Sequence, residues 1–587
     1  MMRSISAIVL LIVCVSWNRA AADDKVQTEV KKDVVLRALV DELERGKDGL
    51  KLEDLQRPYF IEYGLGDTVS SSAGARLGAL TSSSENRWRR LRTSIRVGSY
   101  DQDNTNFSGD YGGYYFSMFG GMGGADIPIE DDYNAIRQGI WWATDREYKS
   151  VIENYERKLA FMKTKVIEDK PPDFSHEDPT VSFEDRVEVA ISLKDLEKMA
   201  TDLSRIFLEY PDVQSSSVNI NGTAGNKYLV NTEGTRLRVG DARFSLTISA
   251  TVQADDGMRL SDSINVYARK LDGLPSMKDL SERCRKMVQQ LVAIKNAPKL
   301  ESYTGPVLFE PRAAAVLFSQ RFAGQFAGGQ RPIGSQSNPD DFEKKLNKRI
   351  LPKFLNVVDD PTKESIDGQV VMGHYLYDDQ GVKVRPVTLV EGGRLKTLVM
   401  SRNPSKTFKK STGHGRGDYR PSPSVGCLVV TSSDAQAEQA LRRKLLEACA
   451  DEDLEFGIRI AVLGSAEGDS GRYSEYLSSL GISGFARGGG EGGTPLAMYK
   501  VYPDGHEELV RGAEIARFDL KAFKRMLAAG DKPYVLNSGG TGGRTVVAPG
   551  LLFEELDLAK IERDFDKPPI LPNPLARAQK PADEADE

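Results

Sequence analysis

The stretch from Gly305 to Gly328, GPVLFEPRAAAVLFSQRFAGQFAG, constrains this chain more than any other. Pro306 to Phe309 reads as a short buried strand, and Glu310-Pro311 as a turn that ends it. The residues that follow predict an apolar helix carrying Ala315, Val316, Phe318, Phe322 and Phe326.

At 587 residues the chain has room for two or more domains with sizeable cores. Met1–Ala22 reads as a cleaved export signal: Arg3 is the positive end, Ile8–Val15 the apolar run and Ala20-Ala21-Ala22 the small-residue cleavage site. That apolar run falls well short of the roughly 20 residues a membrane span needs, and no second stretch approaches that length. Loss of Arg3 and Arg19 would leave 77 of the 79 basic residues against 85 acidic ones, a formal charge of −8. An acidic surface argues against general nucleic-acid binding, which needs basic residues to neutralise phosphates. Cys284, Cys427 and Cys449 are too widely spaced for a disulfide framework or a zinc pattern, so buried thiols are expected, with one disulfide left open.

Before Gly305 the pattern is α+β. Val35, Leu36, Leu39, Val40 and Leu43 predict a helix ending near Gly46, and strands follow near Val69–Thr81 and Trp88–Gly98, with a hairpin across Ser82–Asn86. Phe107–Ala125 alternates aromatics with glycines. It is either a mobile insertion or a recognition loop, since Tyr and Phe offer large contact area at low entropy cost. Asp131–Lys165 predicts the longest helix, and Arg186–Ile191 a strand. Ser192 and Asp195 look like a capping pair for the helix with Leu196, Met199, Leu203 and Phe207 on its apolar face. Strict alternation of Phe244, Leu246, Ile248, Ala250 and Val252 predicts a half-buried strand turned back at Asp255-Asp256-Gly257. A last helix from Ser276 puts Leu280, Cys284, Met287, Leu291 and Ile294 on one face, and Pro298 stops it. Helices on a mainly antiparallel sheet are therefore expected over residues 23–302.

After it, residues 303–560 read as a β-rich C-terminal domain. Gln369–Tyr377, Val384–Val390 and Arg394–Ser401 predict strands, the last two joined at Glu391-Gly392-Gly393. Ala497–Val501 and Glu507–Val510 flank a Pro503-Asp504-Gly505 turn, and Gln436–Ala450 is helical. Residues 561–587, Pro-rich and then acidic, are expected to be disordered.

Several of these segments, taken jointly, resemble the TldD/PmbA family, also called modulator of DNA gyrase. They are the Asp378–Arg402 turn and hairpin, the STGHGRGDYRPSPS loop at Ser411–Ser424, Pro495–Gly512 and Thr545–Pro549. Gly305–Gly328 resembles the family's strand leading into a helix that bears His-Glu-x-x-x-His. The resemblance implies zinc on the two motif histidines, with the Glu as general base. The six matching positions here are Ser319, Gln320, Arg321, Phe322, Ala323 and Gly324, so Ser319 and Gly324 stand where the ligands would be and Gln320 where the base would be. None offers a competitive zinc donor. Active members also use a Cys in a late Gly-rich loop, and the corresponding Leu536–Arg544, LNSGGTGGR, has none. The scaffold is expected without its metal, and no other cofactor is expected.

Four histidines remain. His374 is expected in a strand as a core residue and His506 exposed beside a turn. Gly413, His414, Gly415 and Arg416 form the tentative ligand-binding group, because glycines let a backbone approach a ligand and Arg416 could hold a carboxylate. Ser319 as a nucleophile lacks a general base nearby in sequence. The resemblance implies a homo- or heterodimer, and in some of the family's pairs one subunit is catalytic while its partner lacks the metal motif. The expectation is therefore an exported protein that binds an extended peptide or partners a catalytic homologue, in the periplasm or outside the cell. A hydrolase with a rebuilt site, and an interaction protein working through Phe107–Ala125, stay open as alternatives.

Overall fold

The computed structural model describes residues 26–51, 55–108, 124–165, 170–188, 191–335, 342–464, 494–539, 542–562 and 565–577. Met1–Ala22, most of Phe107–Ala125 and Arg487–Gly493 lie outside the described residues. The fold is α+β, with an antiparallel sheet under helices in the N-terminal region and a strand-rich C-terminal region.

The first sheet holds β1 (Pro58–Arg76), β2 (Ala79–Val97), β3 (Ala125–Asp126), β4 (Val181–Phe183), β5 (Val213–Asn231), β6 (Arg236–Gln253) and β7 (Arg259–Ala268). Their order is β3-β2-β1-β5-β6-β4, with β7 also on β6, and only the β4–β6 pair is parallel. Helix α1 (Val34–Gly49) is capped by Asp33, whose carboxylate accepts from the N–H groups of Val35 and Leu36. It packs with α2 (Tyr133–Lys163) over Ile61, Tyr63, Leu91 and Ile95. Helices α3 (Leu193–Ser204) and α4 (Met277–Asn296) start at the serine caps Ser192 and Ser276 and cover β5, β6 and β7. Leu280, Cys284, Met287, Leu291 and Ile294 are all buried, as the periodicity of α4 requires.

The β1–β2 hairpin turns at Leu77-Gly78, where φ is 51° and 80°, not across Ser82–Asn86. A two-residue turn with both φ values positive matches the twist of the strands, and the Ser/Asn run is simply an exposed part of β2. Of the expected Arg186–Ile191 strand, residues 189–190 lie outside the described residues, and Arg186–Glu188 form no strand: Val187 N–H donates to the Asn226 side chain, and the strand in this region is Val181–Phe183.

The second sheet is mixed and is built around β8 (Ser302–Phe309) and the long strand Arg544–Lys560, which run antiparallel. Beyond β8 come Gly457–Leu463, Pro495–Val501 and Glu507–Val510; beyond Arg544–Lys560 come Cys427–Ser432, Leu355–Asp359, Val387–Glu391 and Arg394–Leu395. Met526–Ser538 also pairs with Arg544–Lys560. The hairpins at Gly392-Gly393 and around Pro503-Asp504-Gly505 form as expected. Gln369–Tyr377 and Arg394–Ser401 keep only two-residue strands, because their backbone groups bond to loops: Val399 N–H, for example, donates to Phe326 O. Helix α5 (Pro311–Arg321) is shorter than its apolar pattern, and Phe322 caps it. His374 lies in a half-buried turn rather than a strand, with Nδ1 2.9 Å from Pro361 O, and His506 is exposed. Cys284, Cys427 and Cys449 are buried and free. The tail is partly docked: the Asn573 amide donates to Pro211 O and Val213 O.

The two regions share a core, since Ala461, Val462, Leu496 and Ala497 pack among the side chains of α3, α4 and the first sheet. Asp256, in the β6–β7 turn, adds a polar tie, 2.7 Å from Lys299 and 2.8 Å from Arg511. Burial pushes its carboxyl up, but the bonds from Lys299 and Arg511 outweigh that and hold it at about 2. A depressed carboxyl stabilises above its unfolded pKa and loses that contribution as pH falls through its folded pKa, about 2 kcal/mol in all. The stability difference between wild type and Asp256→Asn is thus expected to shrink as pH falls from about 4 toward 2. Urea unfolding at a series of pH values checks this; a difference independent of pH would contradict it.

Candidate functional site

Helix α5 begins at Pro311, which suits a first helical turn, and Ala313, Ala314 and Ala315 are buried against the sheet. It runs over Met526–Ser538 and Arg544–Lys560, so its last residues arrive beside the start of the long strand. Ser319 is half-buried there, while Gln320 and Gly324 are exposed. A Cβ built on Gly324 would meet nothing within 4 Å. Of the matching positions, Gln320 and Gly324 therefore face open space, while Phe322 and Ala323 are buried.

Facing them is a residue that pattern reading passed over. Arg544 opens the long strand directly after Gly542 and Gly543, both with positive φ, and its Nη2 donates to Ser319 Oγ at 3.2 Å. Its Nε is buried without a partner, and among the described residues it has no carboxylate partner. Burial alone pulls this guanidinium below its usual value. The only signal in the sequence was an arginine closing the Gly-rich loop that lacked the expected Cys.

The second group expected from the sequence, Gly413–Arg416, reaches the same loop from the other side. Arg416 lies 4.1 Å over the Tyr375 ring, 3.5 Å from Asp379, and its Nη2 donates to Gly542 O at 2.9 Å. Asp379 also accepts from Gly417 N–H. Burial pushes the Asp379 carboxyl up, but Arg416, Lys227, Gly417 N–H and Arg92 together hold it at about 2. Its neighbour Asp378 is pushed up to about 6 by burial, against the pull of three backbone N–H groups, from Val382, Gly415 and Gln380.

His414 lies in the interior of the fold. It is fully buried, with Nδ1 2.8 Å from Thr412 Oγ1 and Nε2 2.9 Å from Asp359 Oδ2, although the ring does not direct an N–H along that second line. The flanking glycines serve packing: a Cβ on Gly413 would come within 2.6 Å of the Lys383–Val384 backbone, and one on Gly415 within 2.2 Å of Gln380. Ser319 and His414 thus have other partners, and the structure does not join them as nucleophile and base. Segment 542–544 links the two groups, held by Arg416 at one end and touching Ser319 at the other.

Zinc does not fit these residues. Ser319, Gln320 and Gly324 supply no thiolate, imidazole or carboxylate, and a guanidinium already points at Ser319. Among the described residues no three His, Cys, Asp or Glu side chains converge as metal ligands.

The PmbA/TldA metallopeptidase C-terminal domain matches residues 302–458. A metalloprotease of Methanocaldococcus jannaschii is 25% identical over 287 residues, 48% of this chain and 54% of that protein. A zinc metalloprotease TldD homolog of Saccharolobus solfataricus is 24% identical over 232 residues, 39% of this chain and 48% of that protein. The chain spans about half the length of these curated relatives. In fold, it is similar to TldE from Thermococcus kodakarensis with a TM-score of 0.55 at 13% identity, over 89% of this chain and 100% of that one.

Proposed function

We propose, from the premise that this chain belongs to the TldD/PmbA family, that it is a non-catalytic member that binds an extended peptide or supports a catalytic homologue. The observation that carries this is the Arg544 guanidinium set against Ser319, at the end of the helix where the family's motif would hold zinc. A fixed positive charge there opposes a second cation, and no other residue at the motif positions supplies a ligand. Ser319 as a nucleophile would need a base within hydrogen-bond reach, and its partner is an arginine, which cannot accept a proton. The leader at Met1–Ala22 supports export, so the place of action is the periplasm or the outside of the cell. A subunit without its own hydrolytic centre would act as part of a homodimer or of a pair with a catalytic relative. The formal charge of −8 after leader loss supports a peptide or protein partner rather than nucleic acid.

The test is elemental mass spectrometry of the purified protein, prepared without chelators, together with a peptide-hydrolysis assay. Less than about a tenth of an equivalent of zinc is expected, with no turnover above that of a Ser319→Ala control. Near-stoichiometric metal, or turnover lost on Ser319→Ala, would overturn the reading in favour of a rebuilt hydrolytic site.

A further inference from the structure

We infer that Arg544 and Ser319 form a carboxylate-binding site for the peptide, so that a charge-assisted hydrogen bond to the ligand replaces the metal contact; this rests on the peptide-binding reading above. A guanidinium is a five-donor fork suited to planar anions, and folded proteins rarely leave one partly buried without an acid. Arg544 spends one donor on the neutral Ser319 hydroxyl, and its buried Nε has no partner. Among the described residues, the charge around it is only partly balanced. Arg243 lies against Gly543, within 2.9 Å of where a Cβ would stand, and Arg243 and Arg269 both pair with the single carboxylate of Asp241. Burial also lowers the Arg269 guanidinium, despite Asp241. Arg243 and Arg269 share the Asp241 carboxylate, with Glu364 adding attraction for Arg269, and Arg544 has no carboxylate partner among the described residues, which leaves an excess of positive charge at this loop.

The site is also accessible and held in place. Gln320 and Gly324 are exposed, and the space beside Gly324 is open. Arg416 fixes the loop through Gly542 O, and so fixes the approach to Arg544. Unpaired, Arg544 weakens the fold; paired with a carboxylate, it regains its missing partner. That asymmetry is what a ligand site gains from a group the free protein leaves unsatisfied. The carboxylate has two sources, the C-terminus of the peptide and an Asp or Glu side chain.

The experiment uses three pools of dansylated random hexapeptides: one with a free C-terminus and no internal Asp or Glu, one amidated and likewise free of them, and one amidated but carrying a single internal Glu. Anisotropy titration of the wild-type protein is expected to show at least one carboxylate-bearing pool bound roughly tenfold tighter than the uncharged pool. The stronger of the two identifies the source. Arg544→Gln should abolish that advantage while its melting temperature is unchanged or higher, and Arg544→Lys should retain part of it. If the wild type binds all three pools equally, the carboxylate site is overturned and peptide binding stands. If it binds none, peptide binding is overturned, and phenylglyoxal modification of Arg544, mapped by mass spectrometry, decides the site by itself. Slowing by N-acetylglycine keeps it; no slowing removes it.

Discussion

Replacing Arg402 with Met is expected to lower the stability of the protein by about 3–5 kcal/mol, more than any surface ion pair contributes. Arg402 belongs to the C-terminal region, yet its side chain is only 1% exposed and ends among residues of the N-terminal region. Nη1 and Nη2 bond Glu233, in the β5–β6 turn, at 2.7 and 2.8 Å, and Nη2 and Nε both donate to Ser175 O. The guanidinium also lies 3.9 Å over the Phe174 ring, whose own contact with Arg96 is 3.6 Å. Truncation leaves Glu233, itself 8% exposed, with only the Tyr100 hydroxyl as donor among the described residues. The cost is therefore that of a stranded buried charge rather than of the pair. Arg402→Met combined with Glu233→Leu should recover at least half of the loss, because two apolar side chains can fill what two charges vacate. Guanidinium unfolding of the four proteins of this cycle measures it, and a double variant no more stable than Arg402→Met would show that the pair itself, not the stranded carboxylate, carries the energy.

The same residue shows where reading the chain in one dimension stops. Leu280, Cys284, Met287, Leu291 and Ile294 were legible because a helix buries a fixed stripe, and Phe244 to Val252 because a half-buried strand alternates. Both patterns are local consequences of backbone geometry. The β1–β2 turn was missed because the outer part of β2 is exposed throughout, so its Ser and Asn residues carry no alternation and imitate a loop. Val384–Ser401 read as longer strands than it forms because buried irregular backbone is as apolar as a strand when side chains and loops satisfy its polar groups. At the candidate site, that Ser319, Gln320 and Gly324 offer no zinc donor is a statement about residue types and needs no coordinates. Arg544 is 225 positions from Ser319, and nothing in local sequence joins the two. His414 shows the opposite difficulty: glycines beside a histidine look like room for a ligand, and here Gly413 and Gly415 also let the backbone pack closely.

Phe322→Ala is the second large effect expected, again about 3–5 kcal/mol, and it tests how the site is held rather than what it binds. Phe322 caps α5 just after the residue triplet Ser319, Gln320 and Arg321, and is 1% exposed. Its ring stacks on Phe318 at 5.1 Å, meets Phe523 edge-on at 4.4 Å and Phe342 at 6.2 Å, and sits 5.7 Å from Phe326. Aromatic pairs at these separations add to plain burial, and an alanine would leave a cavity bounded by four rings that cannot all close on it. Gln320 at the end of α5 and Gly324 just beyond it are exposed, so this cluster is what fixes the helix terminus against the long strand. Phe322→Leu, which keeps most of the volume, should cost no more than about 1.5 kcal/mol and should preserve peptide binding at Arg544. Phe322→Ala should lose binding together with stability, because Ser319 would no longer be held within 3.2 Å of the guanidinium. Unfolding measurements and anisotropy on the two variants separate the cases. A Phe322→Ala protein that unfolds within about 1 kcal/mol of wild type would mean the helix terminus is held by the backbone alone, without the aromatic cluster.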